Sequence, residues 1–295
     1  MKNMRIPLLI AWGVAVIGIV FGSFFDFQIS SAIADPRSIV GLTISAIGPT
    51  IGFAGVAAMG GGFIALALRG KYHIALKVLF FVLAACCLGV SIFYPAGEYF
   101  GVNGFYWVAD EWVGYLIVVV PECAAMVGGY FLFKDCQNKN MWIVFCSIIA
   151  LLLIALLVII PNLKDAMRRP RFRLVSKGEV PFHDWWKPCK DYVPHNDDYK
   201  SYPSGHTAEA SIMLVMATFF PLANKKFEKY QMPVFYGACG LVLLVAFARI
   251  LAAAHYLSDV SFGATIVLTL LIIANEVIMR IKPLHIDEQK EEVKE

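Results

Sequence analysis

Residues 141–161 read MWIVFCSIIALLLIALLVIIP, an unbroken run without a single charge. Crossing the roughly 30 Å hydrocarbon core of a bilayer takes about 20 mostly apolar helical residues. The run therefore predicts a membrane-spanning helix. Seven further runs of this kind flank it: 7–26, 48–68, 75–95 and 113–133 before, 205–222, 234–254 and 260–280 after. The expected fold is all-α, a polytopic transmembrane helical bundle of about eight spans. Within 48–68 the tract GGGF is Gly-rich, which predicts a kink or tight helix packing.

Composition agrees. Of 295 residues, 59% are hydrophobic and 16% charged, with a mean hydropathy of +0.68. Soluble domains carry about 25% charged residues. The net charge of +3 is small and gives no reason to expect a nucleic-acid partner. Most of the seven Cys (Cys86, Cys87, Cys123, Cys146 and Cys239 among them) sit inside apolar runs, where a thiol behaves as a small hydrophobe. No CxxC or Cys/His ligand spacing occurs, so no metal site is expected. No small-residue cleavage site clearly follows the first apolar run, and no cleavable signal is expected.

Short-loop cations set the expected orientation. With Lys2 and Arg5 in the cytoplasm, that side also receives Arg69 and Lys71, Lys134 and Lys139, Lys225, Lys226 and Lys229, and Arg280 and Lys282. The opposite side receives Arg37 and the loop YPAGEYFGVNGFYWVADEW, which has no Lys or Arg. Eight spans return the charged tail, 283–295, to the cytoplasm. One region breaks the rule. Directly after 141–161 comes NLKDAMRRPRFRLVSK, with Lys164, Arg168, Arg169, Arg171, Arg173 and Lys177 on the side that should be poor in cations. The cluster is either a solvated basic loop or the wall of an anion pocket. The polar stretch that follows, 172–202, holds Trp185, Trp186, Tyr192, Tyr199 and Tyr202 and is expected to lie as an interfacial cap.

Two later segments reach that side. KSYPSGHTAEA (200–210) opens the run 205–222. Ser204 is a good N-cap, and Gly205 and His206 follow at a helix start where backbone N–H groups favour an anion. FARILAAAHYLSDV (247–260) carries Arg249, His255 and Asp259. If this segment is helical, His255 and Asp259 at i and i+4 share a face, and the carboxylate can fix the imidazole tautomer. If the first segment is helical too, Lys164 and Arg171 point the same way. Cations, a hydroxyl, a backbone N–H and two imidazoles on one membrane side suit a phosphate.

At this point the chain resembles the type 2 phosphatidic acid phosphatase (PAP2) superfamily, whose pattern is K-x6-R-P, then P-S-G-H, then S-R-x5-H-x3-D. Here stand KDAMRRPRF with Lys164-x6-Arg171, PSGH at 203–206, and ARILAAAHYLSD with Arg249-x5-His255-x3-Asp259. The likeness covers about residues 160–282. Phe172 stands in place of the motif proline and Ala248 in place of its serine. Arg169-Pro170 offers a second register, which puts Asn162 in the lysine position. The register on Lys164 and Arg171 keeps both cations.

The resemblance implies a PAP2-type helical core over 141–282, with the cap loop 172–202, behind N-terminal spans 1–140 of unassigned role. It implies a metal-independent phosphatase without cofactor. His255 would be the nucleophile that becomes a phosphohistidine, Asp259 its orienting carboxylate and His206 the acid and base. Lys164, Arg171, Ser204, Gly205 and Arg249 would hold the phosphoryl oxygens. The implied substrate is a lipid phosphate or diphosphate of the undecaprenyl diphosphate, phosphatidylglycerol phosphate or phosphatidic acid type. It would be met at the extracytoplasmic face of a bacterial cytoplasmic membrane. Two alternatives stay open: a soluble phosphate ester such as a sugar phosphate, and a non-catalytic protein that binds or transports a lipid phosphate. Glu122, in VVVPECAAM, is an intramembrane carboxylate left outside the site, either functional or a paired group at a Pro kink.

Overall fold

The computed structural model of the chain describes residues 4–101, 111–136, 140–190, 192–194 and 196–280. The charged tail 283–295, Lys2, Lys139, Lys282, His195, His285 and the segment 102–110 lie outside the described residues. Those described form helices and connections only. In chain order the helices are α1 Arg5–Ile33, α2 Ile39–Arg69, α3 Ile74–Gly101, α4 Glu111–Phe133, α5 Met141–Leu153, α6 Ile160–Met167, α7 Phe172–Val175, α8 Gly205–Ser211, α9 Val215–Ala223, α10 Gln231–Leu251 and α11 Leu257–Arg280.

Seven helical stretches among the described residues are long and apolar enough to cross a membrane. The eighth expected span, 205–222, takes another form. It is α8 and α9 joined by a 3-10 turn at Ile212–Leu214, and α8 is wholly buried. The expected first span stops at Asp26, where a charge interrupts the apolar run. The helix instead continues to Ile33, because Asp26 is buried and ion-paired. Likewise α3 continues to Gly101, so the start of the expected outer loop is helical.

Bilayer packing explains which face each helix buries. On α1 the large side chains Ile6, Ile10, Val14, Ile17, Phe21 and Phe24 point outward, while Gly22 and Asp26 are buried. Apolar surface costs nothing against lipid tails, so close backbone approach and polar contacts direct helix pairing instead. A Cβ on Gly22 would lie 2.6 Å from the Ser258 backbone nitrogen, and one on Gly18 would lie 2.4 Å from the Ser261 hydroxyl, so α1 lies tightly on α11. Central α2 uses its glycines the same way. A Cβ on Gly52 would meet the Glu209 carbonyl oxygen at 2.2 Å, and one on Gly61 the Met126 carbonyl oxygen at 1.9 Å. The GGGF tract thus packs closely against α4, and Gly52, earlier on the same helix, against α8.

Between α5 and α6 the helix widens to a π turn at Ile154–Ile159. Pro161 follows at once, has no N–H to donate and excludes the usual bond one turn back. Helix α6 then ends because Pro170 disfavours the helical region for Arg169, and Arg168 takes a left-handed φ of 49°. The cap 172–190 folds down over the helix ends. Trp185 stacks against Tyr202, packs on Phe262 and donates to the Ser23 hydroxyl of α1 at 2.9 Å. Of the two tryptophans, Trp186 is the exposed one.

Candidate active site

Backbone hydrogen bonds sew three chain segments together at one end of the bundle. Ser201 N–H donates to the Arg169 carbonyl at 3.0 Å, and Ser204 N–H to the Asp259 carbonyl at 3.0 Å. Arg173 N–H donates to the Ala253 carbonyl at 2.9 Å, and Arg171 N–H to the Asp198 carbonyl at 2.7 Å. Gly263 has no room for a side chain, since a Cβ there would sit 2.3 Å from the Ser204 carbonyl oxygen. The N-terminus of α8 is thereby pressed against α11.

The first segment contradicts one expectation. Lys164 and Arg171 do not share a helical face, because α6 ends at Met167 and Arg171 stands in extended backbone before α7. Chain reversal at Arg168 through Pro170 brings them together instead. Lys164 Nζ lies 3.5 Å from where a Cβ on Gly205 would stand, and both cations act on Asp197. Arg171 donates to Asp197 at 2.6 Å. Partial desolvation would raise Asp197, whose side chain is largely exposed, but Arg171 foremost, then Lys164, Lys200 and Arg173, outweigh it and hold the carboxyl below its usual range.

In the second segment Ser204 caps α8, its hydroxyl accepting from Thr207 N–H at 3.4 Å and from the Thr207 hydroxyl at 3.1 Å. Gly205 and His206 begin the helix, and both are buried. Arg249, His255, Lys164 and Arg171 all lie within electrostatic reach of His206. Three residues on, Glu209 is buried too, with Oε1 beside Gly205. This carboxylate among cations was missed in the sequence. Its i+3 spacing from His206 on one short helix was the available signal.

The third segment also departs from expectation. His255 and Asp259 do not share one helix, because α10 ends at Leu251 and α11 begins at Leu257. Ala253, at φ 55°, turns the chain, and His255 N–H donates back to the Arg249 carbonyl at 3.2 Å. His255 Nδ1 stands 2.6 Å from the Ser201 carbonyl oxygen and 3.9 Å from the nearer Asp259 oxygen. A carbonyl only accepts, so Nδ1 carries the hydrogen and Nε2 keeps its lone pair. Burial foremost, with Arg249 and Arg171, pulls the imidazole down to about 3 against the opposing pull of Asp259. The ring is therefore neutral near pH 7.

Asp259 has other partners. It accepts from Arg169 at 2.6 Å, from the Ser201 hydroxyl at 2.5 Å and from Tyr256 N–H at 3.0 Å. Arg169, which the chosen motif register sets aside, is the centre of this group. It is 1% exposed, lies over the Tyr256 ring at 4.0 Å and donates to Asp26 on α1 at 2.9 Å. Arg169 and Arg171 thus divide the labour: the first holds buried carboxylates, the second stands by the histidines. Glu122 is remote, on α4, fully buried, and its carboxyl oxygens have no hydrogen-bond partner among the described residues.

The arrangement sets a lone pair, a second imidazole and three cations within electrostatic reach of one another, a set that suits transfer of a phosphoryl group to nitrogen. Residues 141–282 match the family model of the PAP2 superfamily. No curated protein and no solved structure matches the chain.

Proposed function

We propose that this chain, which carries a PAP2 superfamily domain over residues 141–282, is an integral membrane phosphatase for a lipid phosphate or diphosphate. The observation that carries the reading is the His255 ring, held at Nδ1 by the Ser201 carbonyl with Nε2 left as a nucleophile beside His206, Arg249 and Arg171. Nε2 attacks phosphorus, the P–O bond to the leaving group breaks, and His206 gives that oxygen a proton. This requires His206 to enter the step as the imidazolium, with the bound phosphate's negative charge offsetting the burial and the cations that disfavour that form. His206 then takes a proton from water, the water oxygen attacks phosphorus, and the P–N bond breaks. Lys164, Arg171, Arg249, the Ser204 hydroxyl and the Gly205 N–H hold the phosphoryl oxygens, supplying without a metal the charge that Mg²⁺ supplies elsewhere. Asp259 steadies the charged ring from the far side of Ser201.

Support for a lipid comes from an apolar groove of about 740 Å³ between α1, α10 and α11. Ile10, Val14, Phe235, Phe247 and Leu257 line it, and it reaches Thr207, the neighbour of His206. A lipid tail can lie there while its phosphate enters the site. The distribution of short-loop cations supports an extracytoplasmic position for this end of the bundle, and the composition with its short positive N-terminus supports a bacterial cytoplasmic membrane as the setting. On this reading 141–282 is the catalytic core with 172–202 as its cap, and 1–140 supports it.

The test is phosphate release by detergent-purified protein, with EDTA and no added metal. The panel holds undecaprenyl diphosphate, phosphatidylglycerol phosphate, phosphatidic acid and glucose 6-phosphate. Release from a lipid that is lost in His255→Ala supports the proposal. Release from the sugar phosphate alone establishes the soluble-ester alternative. Phosphate or vanadate binding without turnover of any substrate establishes the binding protein.

A further inference from the structure

Helix α1 precedes the PAP2-matched residues, yet it sends one carboxylate into the group beneath the histidine. We propose that Asp26 is a positioning residue for His255, acting through Arg169, Asp259 and Ser201. The inference rests on the phosphatase reading above.

The connection is continuous and buried. Asp26 is 2% exposed and accepts from Arg169 Nη2 at 2.9 Å and from Ser258 N–H at 2.9 Å. The Ser258 hydroxyl donates to Asp26 and accepts from Arg169 Nη1 at 2.9 Å. The same Nη1 reaches Asp259 at 2.6 Å, and Arg169 Nε donates to the His183 carbonyl at 2.8 Å. Each guanidinium nitrogen therefore has a partner. The other Asp259 oxygen takes the Ser201 hydroxyl at 2.5 Å, and the Ser201 carbonyl holds His255 Nδ1 at 2.6 Å. Ser201 N–H also bonds the Arg169 carbonyl at 3.0 Å, so Arg169 holds Ser201 from two directions.

Charge gives Asp26 a role beyond packing. Two carboxylates against one guanidinium leave one net negative charge in a group whose side chains are at most 2% exposed. When Nε2 bonds to phosphorus, the His255 ring becomes cationic, and that net charge stabilises it. Replacing Asp26 by Asn makes the group neutral. It also leaves a single oxygen to serve both Arg169 and Ser258. The phosphate-binding cations Lys164, Arg171 and Arg249 are untouched, so the change acts on turnover and leaves anion binding alone.

Asp26→Asn, Asp26→Glu and wild type are compared for kcat and KM on the turned-over substrate, for vanadate Kd and for Tm. Outer partners of metal ligands, which orient a histidine in the same way, typically change affinity or activity roughly 10- to 100-fold. Asp26→Asn is expected to lower kcat by about that factor, with KM and vanadate Kd within about 3-fold of wild type. Asp26→Glu keeps the charge and is expected to recover part of the loss. Gly22, packed against Ser258, leaves little room for its extra methylene. Wild-type kcat in Asp26→Asn overturns the proposal. So does a loss of kcat matched by an equal loss of vanadate binding, which marks a merely structural residue. If Asp26→Asn does not yield folded protein, Ser258→Ala takes its place. It keeps every charge but removes the hydroxyl shared by Asp26 and Arg169, and a wild-type kcat in it overturns the proposal too. Absence of phosphate release from wild type would instead count against the phosphatase reading.

Discussion

The Ser201 carbonyl oxygen stands 2.6 Å from His255 Nδ1, and the nearer oxygen of Asp259 stands 3.9 Å from the same nitrogen. The main chain therefore orients the His255 ring, the nucleophile of the proposed reaction, and the carboxylate acts one residue removed, through the Ser201 hydroxyl. Ser201→Ala keeps the carbonyl and deletes the hydroxyl. Its expected cost is that of a hydrogen bond to a charged group, about 1.5–3 kcal/mol of stability, with the nucleophile still in place and activity reduced but measurable. Kinetics and thermal melting of purified Ser201→Ala check this. Complete loss of activity in a folded variant would show that the hydroxyl itself is needed for the chemistry.

Stability should depend on His255 below neutral pH. The folded ring titrates at about 3, well under the ordinary 6.5, so the unfolded chain binds a proton in this window that the folded one refuses. Stability is whole above about pH 6.5 and declines as pH falls from there towards about 3, by at most about 1.4 kcal/mol per pH unit for one group. Thermal melts of wild type and His255→Asn between pH 7 and 4 isolate the term. The variant should show the shallower decline, and parallel curves would contradict the buried neutral ring.

Removing Arg169 leaves Asp26 and Asp259 facing each other without a cation. Arg169→Met is expected to cost about 3–5 kcal/mol, as for a buried pair broken on one side. Asp26→Asn in the same chain should give part of that back by removing the repulsion. A melting temperature equal to wild type in Arg169→Met would refute the role given to this ion group.

The close approach of α2 to α8 is testable at Gly52. Alanine there gains helix propensity of up to about 1 kcal/mol, but its Cβ would meet the Glu209 carbonyl oxygen at 2.2 Å. Overpacking of this kind costs about 1–3 kcal/mol, and the displaced helix carries His206. Gly52→Ala should lower both Tm and activity. Gly128→Ala, on the exposed side of α4 with nothing within 4 Å of the new methyl, should leave activity unchanged and Tm unchanged or slightly raised. Equal behaviour of the two variants would mean that α8 has room to move.

Phosphate should relieve Asp197 of its partner. Arg171 is held by Asp197, a side chain 68% exposed, so the pair lies where water screens it. Asp197→Asn removes one anionic partner of Arg171 and is expected to change vanadate affinity by only a few fold. Arg171→Ala should weaken the same binding at least tenfold. Isothermal titration with vanadate compares them, and equal effects would place Arg171 outside the anion site.

How much was legible in the sequence follows the range of the physics. Run length alone predicted seven of the eight expected spans, because a bilayer is a uniform solvent that asks only for enough consecutive apolar residues, and it misread 205–222 as a single helix. Asp26 shows the weakness of that rule. A charge read as the end of a span is a buried ligand of Arg169, 143 residues away in the chain. The spacings of Lys164, Arg171, His206, Arg249, His255 and Asp259 were also plain. The helical geometry inferred from those spacings was wrong in both places where it was used. Pro170 ends one helix, and the turn at Ala253 separates two others.

Sequence by itself thus determined a helical membrane protein with a PAP2 superfamily match over its C-terminal part. Tertiary structure decided which charges serve whom. Arg169 and Arg171 stand two residues apart, and no local rule separates them. One is buried against two carboxylates from distant helices, and the other is left beside the histidines. The reason is that a buried charge takes the partners that helix packing brings to it. That packing depends on glycines such as Gly22, Gly52 and Gly263, whose missing side chains let distant backbones come close.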